Sequence, residues 1–480
     1  MVGISACGLY LPRYRLKRET LFQAMGWFNP GIKGMARGEK AIANYDEDSL
    51  TMAVAAGRDS FTDMDRAKID ALYLASTTLP YKERGNAAIL NEALNLSSDV
   101  RTSEYSGPLK AGTSALISAL NEAGSQTTLV CATDCRIGKP GGNQEALCGD
   151  GAAAIIIGNE RIIATFEGHY SLSYDFPDHR RIEGDKFNRS WEERWVREEG
   201  YSKTIMEVFH SILRKYGLHL QDIAKVVYPP LSARDHGEMA KSLGLKPEQI
   251  QSSLIEEMGH TGCAHPFIML IGALEEAKIG DKILTISYGG GGDALLFQVT
   301  EEIRELKNRS KLKNQLSQKE ELKGYEKYLS FRDVLPKEIG IRGEEIAPTS
   351  LSLHWRERKS ILGLFGFKCK ACGTPQFPQE RICINPDCGA IDQMEDYPFS
   401  DKKGKLFTYT GDNLTFSEDP PALYGIVDFE GGGRYWFDIT DCPLETLKVG
   451  QAVEMTFRRK YRDRARSLYG YFWKAMPLRE

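Results

Sequence analysis

The stretch 103-SEYSGPLKAGTSALISAL-120 reads as an extended segment that turns through Gly107 and Pro108 into a helix of small residues beginning near Lys110. Ala111, Gly112, Thr113 and Ser114 let other chain segments approach the start of that helix closely. Unpaired N–H groups and the helix dipole favour negative charge there, which suits a nucleophile. The residue in that position is Leu109, which has no nucleophilic chemistry. The residues alone leave three readings: a site that lost its nucleophile, a site that works without one, or a core helix.

Outward from this helix, residues 1 to about 299 alternate short apolar runs with amphipathic segments. The runs 71-ALYLAST-77, 128-TLVCATD-134, 152-AAAIIIG-158, 225-KVVYPP-230, 282-KILTISYG-289 and 293-DALLFQV-299 predict strands. Helices are predicted over 48–65, 85–95, 111–123, 203–216 and 266–278. Such alternation argues for an α/β fold with largely buried sheets. A weak duplication is also visible: TLVCATD…CGDGAAAIIIG is echoed by KILTISYGGGGDALLFQV, each unit having a strand, a glycine-rich turn with an acid (Asp150, Asp293) and a closing strand. Two similar halves around a shared site fit this pattern.

The highly charged stretch 301–329 predicts a solvated helix or linker. From about residue 352 the texture changes to cysteine pairs followed by short strands broken by Gly, Asp and Pro, as in an OB-type barrel. The expected boundaries are a first half over 1–165, a second half over 166–300, a charged helical connector over 301–351, a cysteine-bearing ribbon over 352–395 and the barrel over 396–480. Within the ribbon, Cys369, Cys372, Cys383 and Cys388 are spaced as C-x2-C, ten residues, C-x4-C. Four thiolates on two short loops can close a tetrahedron around Zn2+, and a full sulfur sphere makes that metal structural. The run 458-RRKYRDRAR-466 carries six cations around Tyr461. A solvated face, a phosphorylated small molecule or nucleic acid are its three readings, the first favoured.

Composition excludes several classes. The chain has 41% apolar and 27% charged residues and a net charge of −4, so no global field draws it to nucleic acid or anionic membrane. No apolar run approaches the roughly 18 residues of a membrane span. The N-terminal sequence MVGISACGLYLPRYRL has no basic leader, and six of the ten cysteines lie outside the cluster as free thiols. Together these predict a cytoplasmic, reducing setting.

Four segments, 38-GEKAIANYDEDSLTMAVAAG-57, 110-KAGTSAL-116, 149-GDGAAAIIIG-158 and 280-GDKILTISYGGGGDALLF-297, resemble the hydroxymethylglutaryl-CoA synthase branch of the thiolase superfamily, close to ketoacyl-ACP synthase III. The likeness covers about residues 1 to 350. The tail resembles the zinc-ribbon/OB proteins that accompany thiolases, here fused to the same chain. The resemblance implies a thiolase-like five-layered αβαβα fold of two similar halves, a homodimer, a coenzyme A thioester as substrate and a possible separate thiolase partner. The family's reaction uses an acylated Cys, a His and an Asn around the oxyanion, and a Glu as acid/base. Carried over residue by residue, the Cys position falls on Leu109, the His on Pro229, the Glu on Thr77 and the Asn on His260.

With those four positions changed, the candidate catalytic residues are His260, Tyr228 and His265. His260 is a candidate oxyanion donor or base, Tyr228 an acid beside Pro229, and His265 a neighbour sharing the pocket. Cys148 and Cys135 read as packing thiols, and Cys263 as a buried free cysteine, with a displaced nucleophile as the less favoured alternative. In 174-YDFPDHRR-181, Arg180 and Arg181 are candidate ligands for CoA phosphates within a loop that also carries Asp175, Asp178 and His179. The favoured function is an acyl-CoA enzyme that forms or cleaves a C–C bond in a Claisen or aldol sense without an acyl-cysteine. The alternatives are a non-catalytic acyl-CoA-binding or scaffold subunit and, least favoured, a nucleic-acid-binding zinc-ribbon/OB protein.

Overall fold

The apolar runs become strands because both of their faces are covered: every residue of Asp150–Gly158 and of Ala71–Ala75 is buried. The computed structural model describes residues 1–61, 64–307, 310–344 and 348–478. The chain divides into two units, the first made of 1–43, 48–88 and 99–328, the second of 44–47, 89–98 and 329–480.

The first unit is built on a nine-stranded mixed sheet. Its order is Lys225–Val227, Lys282–Tyr288, Gly291–Val299, Ala164–Ser173, Gly3–Tyr10, Asp150–Gly158, Thr128–Cys135, Ala71–Ala75 and Arg101–Tyr105. The two halves expected from the duplication meet where Gly3 and Ile4 pair with Thr165 and Ala164. Helix Ala111–Glu122 packs on strands of both halves, and helix His265–Glu276 packs on Asp150–Gly158, Lys225–Val227 and Lys282–Tyr288. These two helices touch each other, while Ser49–Ser60 packs on Gly3–Tyr10, Asp150–Gly158 and Thr128–Cys135, and Lys203–Tyr216 on Gly291–Val299, Ala164–Ser173 and Lys282–Tyr288. The observed helices lie within about three residues of the expected ends, save that the helix expected over 48–65 stops at Ser60. Part of the remainder of that expectation, 62–63, lies outside the described residues. The charged stretch after residue 300 is not uniformly solvated. Lys311 is buried and its Nζ donates to the carbonyls of Cys7 (2.8 Å) and Asp59 (2.6 Å).

The second unit holds a three-stranded sheet, Pro375–Gln376, Phe365–Cys369 and Met394–Pro398 in that order, and a five-stranded antiparallel sheet. The five strands run Arg434–Asp438, Ala422–Phe429, Gly404–Asp412, Ala452–Asp463 and Leu468–Pro477, and an Ile439–Ala475 bridge links the first end to the last. Phe399, Val427, Phe437, Phe457 and Trp473 fill the space enclosed. The basic run is largely neutralised inside this unit. Arg458 is 1% exposed and pairs with Asp46 (3.1 Å), Glu47 (2.9 Å) and Asp441 (2.6 Å). Arg462 and Arg464 face Asp333, and Arg466 pairs with Asp463. A guanidinium surrounded by three carboxylates is not available to a phosphate, so the run offers less positive field than its sequence suggested.

Candidate active site

The helix Ala111–Glu122 is fixed at its start by one buried acid. Asp293 takes an ion pair from Lys110 (3.1 Å) and hydrogen bonds from Thr113 Oγ1 (2.9 Å) and Ser114 Oγ (3.1 Å). This accounts for the polar residues of KAGTS. Gly289, at φ +145°, folds over Leu109 so closely that a Cβ there would meet the Leu109 Cβ at 2.8 Å. Leu109 is thereby held at the edge of a small cavity of about 20 Å³, which it lines together with Arg136, His179, Pro229, His260 and Tyr288. Three of the four positions at which the family's catalytic residues were expected, 109, 229 and 260, therefore share one cavity.

His260 reaches this place through backbone pairing: its N–H donates to Leu147 O (2.9 Å) and its carbonyl accepts from Gly149 N–H (3.2 Å). Its Nδ1 accepts from the N–H of Gly262 at 3.1 Å. Burial holds its pKa well below the ordinary range, with the charges of His265, Arg136 and His179 adding to the effect. A neutral ring whose Nδ1 is an acceptor carries its proton on Nε2, so His260 is a donor. The turn after it is set by Asp134, whose Oδ1 accepts from Ser76 Oγ, Thr77 N and Oγ1, and Thr78 Oγ1, and whose Oδ2 accepts from Cys263 N–H at 2.8 Å. Gly262 (φ +61°) is required here, because a Cβ would stand 2.0 Å from Asp134 Oδ2. Thr77, the fourth of those positions, is thus bound to Asp134.

His265 stacks on His260 with ring centroids 4.8 Å apart. Both of its nitrogens are engaged, Nδ1 accepting from Thr261 N–H (3.1 Å) and Nε2 donating to Ser253 O (2.8 Å). Burial lowers its pKa to about 4, so it is a neutral support beneath His260. The structure does not bring Tyr228 to the cavity. Its hydroxyl donates to His236 O (3.0 Å), its ring lies 4.6 Å from the His236 ring, and burial pushes its pKa up. Adjacent residues of an extended chain face opposite sides, so the contact that Pro229 makes with the cavity turns Tyr228 away. Arg180 is exposed, with Nη1 donating to Pro177 O, and Arg181 is tied to Thr77 O (2.5 Å) and Asp185 O (3.4 Å). Neither lines the cavity. The Cys263 thiol is inert in this setting: burial first, then the Asp134 charge, raise its pKa well above normal.

Two groups singled out by the structure have no role in the sequence reading. His179 lines the cavity with Nδ1 3.2 Å from Asp178 Oδ2, at ion-pair distance though off hydrogen-bond geometry, and with Nε2 3.5 Å from the Gln144 amide. Burial opposes the Asp178 charge, but His179 and the Tyr288 hydroxyl outweigh it and hold the carboxyl below its usual range. Burial and Asp178 in turn keep the Tyr288 phenol protonated. The second group is Arg136, only 4% exposed. The sole sequence signal for it was a cation directly after the buried strand Thr128–Cys135.

In the second unit the four cysteine sulfurs lie within 4.8 Å of one another, with 3.9 Å between Cys369 and Cys388 and 3.5 Å between Cys372 and Cys383. Metal–sulfur bonds of about 2.3 Å in a tetrahedron place sulfurs about 3.8 Å apart, so the cluster fits one Zn2+. Thr374, through its hydroxyl and N–H, holds the Cys372 thiol down to about 6.

A family model of the 3-oxoacyl-ACP synthase III C-terminal region matches residues 213–297, and one of the ChsH2 C-terminal OB-fold domain matches 397–458. The chain is 32% identical over 320 residues to the hydroxymethylglutaryl-CoA synthase of Methanopyrus kandleri, covering 65% of this chain and 91% of that protein. The chain belongs to the hydroxymethylglutaryl-CoA synthase family. Identity to the Methanocaldococcus jannaschii synthase is 31% over 341 residues, 69% of this chain and 99% of that protein. Among solved structures, an HMG-CoA synthase complexed with CoA superposes with a TM-score of 0.63 at 19% identity, over 71% of this chain and 92% of that one. The Aquifex aeolicus 3-oxoacyl-ACP synthase III gives 0.55 at 21%, over 62% and 100%. The thiolase-like fold and its attached OB-fold domain are therefore those expected for this family branch. Among the described residues no helix is long and apolar enough to cross a membrane.

Proposed function

We propose that the protein forms or cleaves a carbon–carbon bond at the α-carbon of a coenzyme A thioester, without an acyl-cysteine. One observation carries this reading: the cavity beside the nucleophile-helix start holds an N–H donor, His260, and a carboxylate-backed imidazole, His179, but is closed at that start by Leu109. An aldol or Claisen-type step needs a base at the α-carbon and a donor at the enolate oxygen, and neither requires a covalent acyl-enzyme. His179 Nε2 is the base in this reading, Asp178 its positioning residue and His260 Nε2–H the donor. The membership of the family supplies the thioester.

The second reading, a non-catalytic subunit that binds acyl-CoA or scaffolds a separate thiolase, is favoured by Leu109 and Pro229 both being plain apolar residues in the cavity wall. The homodimer and the cytoplasmic setting belong to both readings. Cys369, Cys372, Cys383 and Cys388 are proposed to hold a structural Zn2+, which ties the two ribbon loops together and takes no part in the chemistry.

The deciding experiment is exchange of the acetyl-CoA methyl hydrogens in D2O. The full-length protein should catalyse it, and His179→Asn should slow it by roughly 10²–10⁴-fold, the usual weight of a general base. Intact-mass analysis should show no acyl adduct. Absence of exchange in the unsubstituted protein favours the scaffold reading, and an acylated thiol overturns the one without an acyl-enzyme.

A further inference from the structure

A cation buried in a protein is ordinarily paired, because leaving water without compensation is costly. Arg136 is 4% exposed and lines the cavity, yet among the described residues its guanidinium makes neither an ion pair nor a hydrogen bond. The nearby acids are engaged elsewhere. Asp134 accepts from donors in 76–78 and from Cys263 N–H, and Asp178 faces His179. The unspent positive charge therefore belongs to the cavity, where it also helps keep His260 neutral. A guanidinium offers a forked set of donors that matches a carboxylate.

We propose that Arg136 binds the carboxylate of the second reactant, and that this reactant is a small 2-oxo acid. The inference rests on the thioester reading above and adds the substrate class. In acyl-cysteine chemistry one reactant is held by a covalent bond; with Leu109 in that position it must be held otherwise, and Arg136 is the charged group on the same cavity wall suited to do so. Arg136, His179 and His260 line the same cavity, so a reactant held through its carboxylate at Arg136 must present its carbonyl close by, as a 2-oxo acid does. In the bond-forming direction His179 Nε2 takes a proton from the α-carbon of the thioester. The enolate carbon bonds to the ketone carbon, the carbonyl π pair moves to oxygen, and that oxygen takes the proton back. The product is a 3-carboxy-3-hydroxyacyl-CoA; no water, oxidant or reductant is consumed, and the reverse is a retro-aldol cleavage.

The test is calorimetric titration of the full-length protein with pyruvate and oxaloacetate, with methyl pyruvate as the uncharged control. The acids should bind and the ester should bind at least about tenfold more weakly. Arg136→Gln should weaken binding of the acids by roughly 10- to 100-fold, as expected for loss of charge-assisted hydrogen bonds, and Arg136→Lys should recover part of it. Because the substitution removes an unpaired buried charge, Arg136→Gln should unfold at the same or a higher temperature, which separates lost binding from lost fold. Equal binding of acid and ester, unchanged affinity in Arg136→Gln, or no binding of either acid overturns the proposal. Hydrogen exchange on acetyl-CoA with no oxo acid present reports the thioester reading separately, so the two can fail independently.

Discussion

Acidification should destabilise the first unit well before its carboxylates protonate, because its buried histidines are held neutral. Burial lowers the pKa of His265 and of His236 to about 4, against about 6.5 in an unfolded chain. Between those values the unfolded state binds more protons than the folded one, so stability is intact above about pH 6.5 and falls as pH drops toward 4. Each group contributes a slope of about 1.4 kcal/mol per pH unit. From pH 6.5 to 5 that is about 2 kcal/mol apiece, or about 4 kcal/mol for the pair, and His260 adds to it with the same sign. Urea titration read by pulse proteolysis of the first unit measures the loss. His236→Phe keeps a ring against Tyr228 while deleting one titration, and should reduce the slope by about 1.4 kcal/mol per pH unit. A urea midpoint that stays constant between about pH 6.5 and 5, or a slope unaltered in His236→Phe, refutes the argument.

Asp134→Asn replaces one acceptor oxygen by a donor, leaving either Cys263 N–H or the 76–78 cluster unmatched; it should cost about 2–3 kcal/mol in the same urea titration, and a loss below about 1 kcal/mol contradicts the assigned contacts. Leu109→Cys places a thiol beside the buried Arg136 cation and the helix start, so its alkylation by iodoacetamide should follow a pKa at least about one unit below the ordinary 8.5, read by intact mass; a midpoint at or above 8.5 shows that the position does not favour an anion. Elemental analysis of the purified protein should find about one zinc per chain, with Cys388→Ser losing it, and folded metal-free protein argues against the cluster as a metal site.

The elements of the first unit were legible because burial imposes a pattern: a run such as AAAIIIG has no polar face to offer water, and it becomes a strand buried throughout. The convergence of Leu109, Pro229 and His260 followed from the family resemblance carried over residue by residue. Roles that depend on side-chain direction were not. Tyr228 and Pro229 are neighbours in sequence but face opposite ways, and in the 179–181 loop it is His179 that turns inward while Arg180 stays in solvent. Arg136 was hidden for a different reason. It follows a buried strand by one residue, and only the packing of distant loops shows that no carboxylate comes to meet it. The basic run misled in the opposite sense, since the acids that neutralise Arg458 lie at 46, 47 and 441, far from it in sequence.

On the proposed reading, Leu109 in the nucleophile position and the rigid cavity wall around it are connected by energetics. A covalent acyl-enzyme fixes one reactant next to the other, and such intramolecular placement is worth effective concentrations of about 10⁵–10⁸ M at best. An ionic hold on a carboxylate, at about 1.5–3 kcal/mol per charged hydrogen bond, recovers only part of that. The remainder has to come from a rigid wall, and the cavity has one: Asp293 fixes the helix start behind Leu109, Asp134 fixes the turn after His260, and His265 supports the His260 ring from below. These supports act on backbone and ring positions and do not touch a thiol. They therefore lose none of their value when the cysteine position becomes Leu109. On the proposed reading, charge pairing takes over from covalent tethering, and that role needs a buried cation left free in the absence of substrate.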